Sequence, residues 1–367
     1  MSMPDLGLGS RPPPEPQPAT AIGTGQVKVA LILPLTASGN AGLAAQSMRN
    51  AAEMALAEFN TSGVQLLVKD DAGTPQGAQA AAQQALQEGA EIILGPLFAP
   101  SVAATGQLAR ARGIPVIAFS TDANVAARGV YLLSFLPESD IDRVISYSMS
   151  QGKRAVAALV PDSPYGTVVQ AAIQQTASRR GARVAALERY PQQDQQAMQD
   201  AIRRVAQAAT QTDAVLIPDG ADAGAIVQGL GAAGPTARRA QLLGTGLWDE
   251  PQVLGNAALQ GAWFAAPEPT GYRSFATRYR TRFGRDPVRT ATLSYDAVSL
   301  VSALVKTQGA QRFSDQVLAN PSGFSGIDGI FRLRGDGTNE RGLAVLRVAP
   351  GGAQVISPAP KAFPGST

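Results

Sequence analysis

Val27-Lys28-Val29-Ala30-Leu31-Ile32-Leu33 is a compact apolar run that ends at Pro34-Leu35-Thr36-Ala37-Ser38-Gly39-Asn40, and a helical stretch from about 43 to 59 follows it. A short run of this kind that feeds a helix through a polar loop reads as a buried parallel strand. The same unit then repeats. Gln65 to Val68 is the next strand, and Asp70-Asp71-Ala72-Gly73-Thr74-Pro75 is its exit. Thr74 fits the cap and Pro75 the first turn of an Ala-rich helix that runs to about Glu88. Further strands fall at Ile92–Leu94, Ile114–Phe119, Tyr131–Leu136, Ala155–Leu159, Arg183–Leu187, Ala214–Ile217 and Leu242–Gly244, with helical stretches between most of them. Such alternation means βαβ units and parallel sheets covered on both faces.

About nine strands are too many for one small doubly wound sheet, so two lobes are expected. A (β/α)₈ barrel also fits the strand count, but the uneven last third of the chain disfavours it. The chain should leave the first sheet near Ser134–Ser139 and return at Trp263–Pro269. It should cross again in the polar stretch Arg334–Arg341, before a last strand at Leu343–Val348. The expected division is a Pro-rich disordered leader at 1–26, a first lobe of 27–137 plus 267–336, a second of 138–266 plus 337–350, and a flexible tail at 351–367.

Composition limits function. The 367 residues are 45% hydrophobic and 16% charged, which is enough for two ordinary cores. Net charge is +3, with no basic stripe or interleaved aromatics, so a nucleic-acid partner is not expected. The chain has no Cys and no His, which excludes thiolate nucleophiles, Ser-His-Asp triads and His- or Cys-ligated metal sites. No apolar run is long enough to span a bilayer. Met1 to Gly9 lacks the apolar core of a signal peptide, so the protein is either cytoplasmic or, as the engineered-looking Met1-Ser2-Met3 favours, has had an export signal removed upstream. Arg11 to Pro18 reads as an extended tail or tether.

In open α/β sheets ligands bind beyond the carboxyl ends of the strands, against helix N-termini. The candidate loops therefore carry Ser38, Ser101, the run Ser120-Thr121-Asp122, Tyr165 and Trp248. Each serine also reads as a helix cap that needs no ligand, and the two aromatics also read as packing residues. Asp70 and Asp71 point to opposite faces of a strand and do not converge as a metal or acid/base pair. Gly244-Thr245-Gly246 lacks the third glycine of a dinucleotide loop, and no phosphate loop occurs. No catalytic constellation, metal or cofactor is expected.

The runs Val29–Thr36, Val68–Pro75, Ile93–Phe98, Ile114–Ser120 and Pro164–Gly166 resemble, in order and spacing, the leucine-binding-protein-like type I periplasmic binding proteins. Gly95–Ala99, Gly244–Asp249, Tyr295–Val298 and Gly326–Arg332 resemble the alphaproteobacterial lipoproteins labelled penicillin-binding protein activators. The resemblance implies two Rossmann-like lobes joined by a three-crossover hinge. It also implies a periplasmic, lipid-anchored protein that touches the membrane only through an anchor outside this sequence. It places a ligand's carboxylate on Ser101 and Ser120-Thr121, with Tyr165 covering the ligand. The family's acidic residue of the second lobe is missing from Gly244–Leu247, where no carboxylate stands before Asp249; Asp122 is a possible substitute. Three functions follow from these readings. One is an activator that contacts a peptidoglycan synthase. The alternative is a receptor that delivers an amino acid or small polar solute to an ABC permease. The third, an enzyme using carboxylates only, has the least in its favour.

Overall fold

The computed structural model describes residues 20–59 and 63–365. The Arg11–Pro18 stretch lies outside them. Sixteen strands are named in chain order. In the first lobe they are β1 (Ala21–Ile22), β2 (Val27–Leu33), β3 (Val64–Asp70), β4 (Ile92–Leu94), β5 (Val116–Ala118) and β6 (Val130–Leu132). These form one sheet in the order β1-β3-β2-β4-β5-β6, parallel except for the antiparallel edge β1. Its helices are α1 (Gly39–Glu58), α2 (Pro75–Gln87) and α3 (Ala99–Ala111). Alternation along β2 decides what each face meets. Val29, Leu31 and Leu33 face a core that includes Met48 of α1, while Ala30 and Ile32 face Ala81 and Val102 of α2 and α3.

The chain then crosses and opens α4 (Pro137–Ser150), which packs on α5 (Pro164–Arg180). The second lobe continues with β7 (Ala155–Pro161), β8 (Arg183–Tyr190), α6 (Gln195–Gln207), β9 (Ala214–Leu216), α7 (Ala223–Ala232), α8 (Pro235–Arg239), β10 (Gln241–Gly244), α9 (Pro251–Leu254) and β11 (Trp263–Ala266). The chain returns through α10 (Pro269–Phe283) and α11 (Ala291–Thr307), both packed on α1. The short α12 (Asp315–Leu318) leads to a three-stranded antiparallel sheet of β12 (Phe324–Gly326), β13 (Gly329–Leu333) and β14 (Asn339–Arg341). Finally β15 (Ala344–Ala349) and β16 (Gly352–Ser357) complete the second sheet, β16-β15-β11-β10-β9-β7-β8.

Each lobe is thus doubly wound around a switch point, between β2 and β4 in one and between β7 and β9 in the other. This is the two-lobed α/β architecture expected from the sequence. Three expectations at the margins are corrected. Residues 351–367 were expected to be a flexible tail, but β16 pairs antiparallel with β15, Ala359 N–H donates to Glu268 at 2.7 Å, and Phe363 is buried. The 1–26 leader was expected to be disordered throughout, but Ala21 and Ile22 pair with Leu67 and Leu66 as an edge strand. The Arg334–Arg341 stretch was expected to be the third crossing, with the second lobe resuming at 337. It is instead a hairpin closed by Thr338 and paired as Phe331↔Arg341. Asn339 ties that hairpin to the first crossing by donating to Leu132 O and Ser134 O at 2.7 and 2.9 Å.

Candidate functional site

The loops that leave the carboxyl ends of the strands carry the candidate residues, and their local sequence sets how each is presented. On α5 the Ser163-Pro164-Tyr165-Gly166 order fixes the entry. The Ser163 hydroxyl accepts from Gly166 N–H at 3.1 Å, and Pro164 supplies the φ of the first turn. Tyr165 is thereby held half-buried at the mouth of the second lobe, its hydroxyl donating to Pro218 O at 2.9 Å.

That hydroxyl stands among carboxylates. Burial pushes its pKa up, and the charges of Asp140, Asp219 and Glu138 push the same way. Asp140, in the first turn of α4, accepts from Gly246 N–H at 2.9 Å. Packing around its carboxyl raises the pKa to about 7. At the end of β9, Asp219 accepts from Tyr190 at 2.9 Å, and burial together with Asp219 pushes neighbouring Asp222 up to about 6. Burial also raises Glu138, helped by Asp122 reaching across from the first lobe. The second lobe therefore presents a concentrated acidic wall.

The first lobe presents the opposite polarity. The N-cap of α1 is Ser38, exposed and making no cap hydrogen bond. The N-cap of α3 is Phe98, whose side chain cannot accept one. Uncapped first turns leave N–H groups and positive dipole ends for an outside anion. The contrast is with α2, where Thr74 accepts from Gly77 N–H at 3.0 Å as expected. Between these ends Ser120 is buried, its hydroxyl accepting from Asp122 N–H at 3.1 Å. Thr121 is exposed, and Asp122 caps the next turn through Asn124 N–H.

The structure thus brings the Ser120–Asp122 loop and Tyr165 toward one set of charges through Glu138, and leaves Ser38 on its own helix end. Two predicted residues do not face the cleft. Ser101 is neither a cap nor exposed: α3 starts two residues earlier, so Ser101 is fully buried inside its first turn, its hydroxyl without a partner. Trp248 is a core residue. Its ring lies on Gly244, where any Cβ would collide with it, and the indole N–H donates to Asp219 O at 3.3 Å. Asp249 cannot substitute for the missing carboxylate, because it faces Arg289 and Arg273 of the first lobe.

The residues that sequence reasoning missed are Asp140, Glu138, Asp219 and Asp222. For the first pair the available signal was the Pro137-Glu138-Ser139-Asp140 run, which puts two carboxylates in the first turn of a helix. For the other two the post-strand position of Pro218–Asp222 was the available signal. Among the described residues no cluster of metal-ligating side chains occurs, and no helix is long and apolar enough to cross a membrane.

Comparison with known proteins agrees with the two-lobed fold. A family model described as periplasmic binding protein matches residues 26–353. No curated protein matches the chain. Among solved structures, a protein assigned to a branched-chain amino acid ABC transporter of Rhodospirillum rubrum superposes with a TM-score of 0.79 at 21% identity, covering 90% of this chain and 99% of that one. An ABC transporter solute-binding protein from Rhodopseudomonas palustris, in complex with 3,4-dihydroxybenzoic acid, gives 0.64 at 19% identity over 93% and 99%. A branched-chain amino acid substrate-binding protein from Streptococcus pneumoniae, in complex with isoleucine, gives 0.62 at 18% over 90% and 99%. At these identities the likeness establishes the fold.

Proposed function

Because this chain belongs to the periplasmic binding protein family, we propose that it is a non-enzymatic periplasmic receptor whose two lobes close on a small zwitterionic, amino-acid-like solute for an ABC permease. The observation that carries the proposal is the polarity of the cleft. Uncapped helix ends at Ser38 and Phe98 suit a carboxylate, and the wall of Asp140, Asp219 and Glu138 around Tyr165 suits an ammonium. The Ser120-Thr121 hydroxyls are placed to help on the carboxylate side. A plain aromatic acid such as the R. palustris ligand would bring no cation to that wall. A buried ammonium needs a partner, and Asp140 supplies the carboxylate that the 244–247 loop lacks.

The activator reading rests on short motifs alone, as does lipid anchoring. Transport receptors among the structural neighbours support the solute-receptor reading over contact with a peptidoglycan synthase. The test is a thermal-shift screen of amino acids against hydroxybenzoates. A ligand at 100 times its Kd adds about 2.7 kcal/mol of stability. The proposal expects an amino-acid hit that Tyr165→Ala abolishes; hits confined to the hydroxybenzoates would overturn it.

A further inference from the structure

A second cavity, of about 660 Å³, opens on the flank of the molecule between α4, the C-terminal half of α5 and the β13–β14 hairpin. Tyr165 sits at the opposite end of α5, and Glu138 stands between, lining this cavity while its charge also reaches Tyr165. Six arginines line it, Arg143, Arg179, Arg180, Arg332, Arg334 and Arg341, against four carboxylates. On the α4–α5 wall Arg179 and Arg180 share one carboxylate, Asp142, at 2.6 and 2.9 Å. On the hairpin wall Arg332 and Arg334 share Glu340 at 2.7 and 3.1 Å. Glu138 and Asp336 complete the lining and both feel the charge of Arg334, which leaves the cavity as a whole with six guanidiniums against four carboxylates. Arg143 spends its donors on neutral oxygens, those of Leu343, Ser357 and Pro358.

The deepest cation is Arg341, only 6% exposed. Its Nε donates to Ser134 O at 3.0 Å and its plane stacks on Phe135, but Nη1 and Nη2 have no hydrogen-bond partner. The charges of Asp328, Asp296 and Asp140 offset its own, but none of them supplies a hydrogen bond to those two sealed nitrogens. Fork-shaped donors match the oxygens of a phosphate or carboxylate group.

We propose that this cavity is a second ligand site, for a small oxyanion bearing a phosphate or carboxylate group, held by Arg341 within and by Arg179 and Arg334 at the rim. An occupant would bridge a second-lobe helix pair to a hairpin that is tied to the first crossing. The inference requires no particular cleft ligand, although Arg341 also faces Asp140 of the acidic wall.

Calorimetric titration of the whole protein with inorganic phosphate tests it, with malonate as the carboxylate arm and sodium chloride at equal ionic strength as the control. One saturable site is expected for at least one of the two probes, and the stronger identifies the group. Arg179→Gln and Arg334→Gln are exposed changes on opposite walls that should each weaken binding roughly tenfold. Arg341→Met should abolish it, and Tyr165→Ala should leave it unchanged. If Arg341→Met fails to fold, the two rim variants decide alone. Heats no larger than those of chloride, or saturable binding that ignores the arginine variants, would overturn the proposal.

Discussion

Asp140 and Gly246 are 106 residues apart in sequence, yet the carboxylate of one accepts from the backbone N–H of the other at 2.9 Å. This contact joins the first turn of α4 to the loop after β10. It places an acidic group in the second lobe where the loop itself has none. The N-terminus of α4 and one amide hydrogen bond favour the ionised form, but burial outweighs them and holds the pKa near 7. An arriving ammonium would shift that balance toward the carboxylate.

Asp296 makes the same physics testable in the absence of ligand. It is 3% exposed, accepts from Ile327 N–H at 2.9 Å, and burial with the nearby Asp328 charge raises its pKa from 3.8 to about 7. The native state then holds a proton that the unfolded chain releases. Stability should fall as pH rises from about 4 to 7 and flatten above that. Asp296→Asn keeps the acceptor and removes the charge. It should stabilise the protein by a few kcal/mol at pH 8 and change little at pH 4, as read by urea unfolding.

Asp328 is buried and pairs at 2.6 Å with Arg289, which is a third exposed and lies over Tyr272 at 4.3 Å. Asp328→Asn would leave that cation between aromatic rings without its counter-charge. A loss of about 1–2 kcal/mol is expected in urea unfolding, because the stranded guanidinium is a third exposed and water takes up part of its charge.

Phe363 tests whether the C-terminal segment belongs to the fold. Its ring is 4% exposed and lies under the Arg332 guanidinium at 4.5 Å. Phe363→Ala should cost about 3 kcal/mol of stability. A change within about 0.5 kcal/mol would restore the flexible tail that composition suggests.

Thr74→Ala removes the hydroxyl that accepts from Gly77 N–H. It should lower stability by about 1 kcal/mol in urea unfolding.

What the sequence discloses and what it hides divide along physical lines. Runs such as Val27–Leu33 are buried on both faces, so their apolar continuity alone marks them as central strands. β16 has the exposed, Gly-led sequence Gly352–Ser357, and its identity comes only from pairing with β15. The hairpin of β13 and β14 looks like a polar crossing because the pairing of Arg332 and Arg334 with Glu340 is made only in space. Trp248 was misread because the feature that buries it, the missing Cβ of Gly244 on the preceding strand, gives no pattern in sequence. Ser101 was misread by a boundary shift of two residues, enough to turn a cap into an interior position. The acidic wall was hidden because Asp140, Asp219 and Tyr165 come from three separate segments. Their meeting depends on the order of the strands in the second sheet, where β9 lies beside β7, not on spacing.

The most direct test of the account is calorimetry with the tightest-binding amino acid from the screen, at pH 5.5 and pH 8, on the unaltered protein and Asp140→Asn. With Asp140 near pH 7, affinity for an ammonium-bearing solute should rise roughly tenfold or more between the two values. In Asp140→Asn it should be weak at both. An affinity that is flat with pH and unchanged by Asp140→Asn would contradict the assignment of the ammonium to this wall, and with it the zwitterion reading of the cleft.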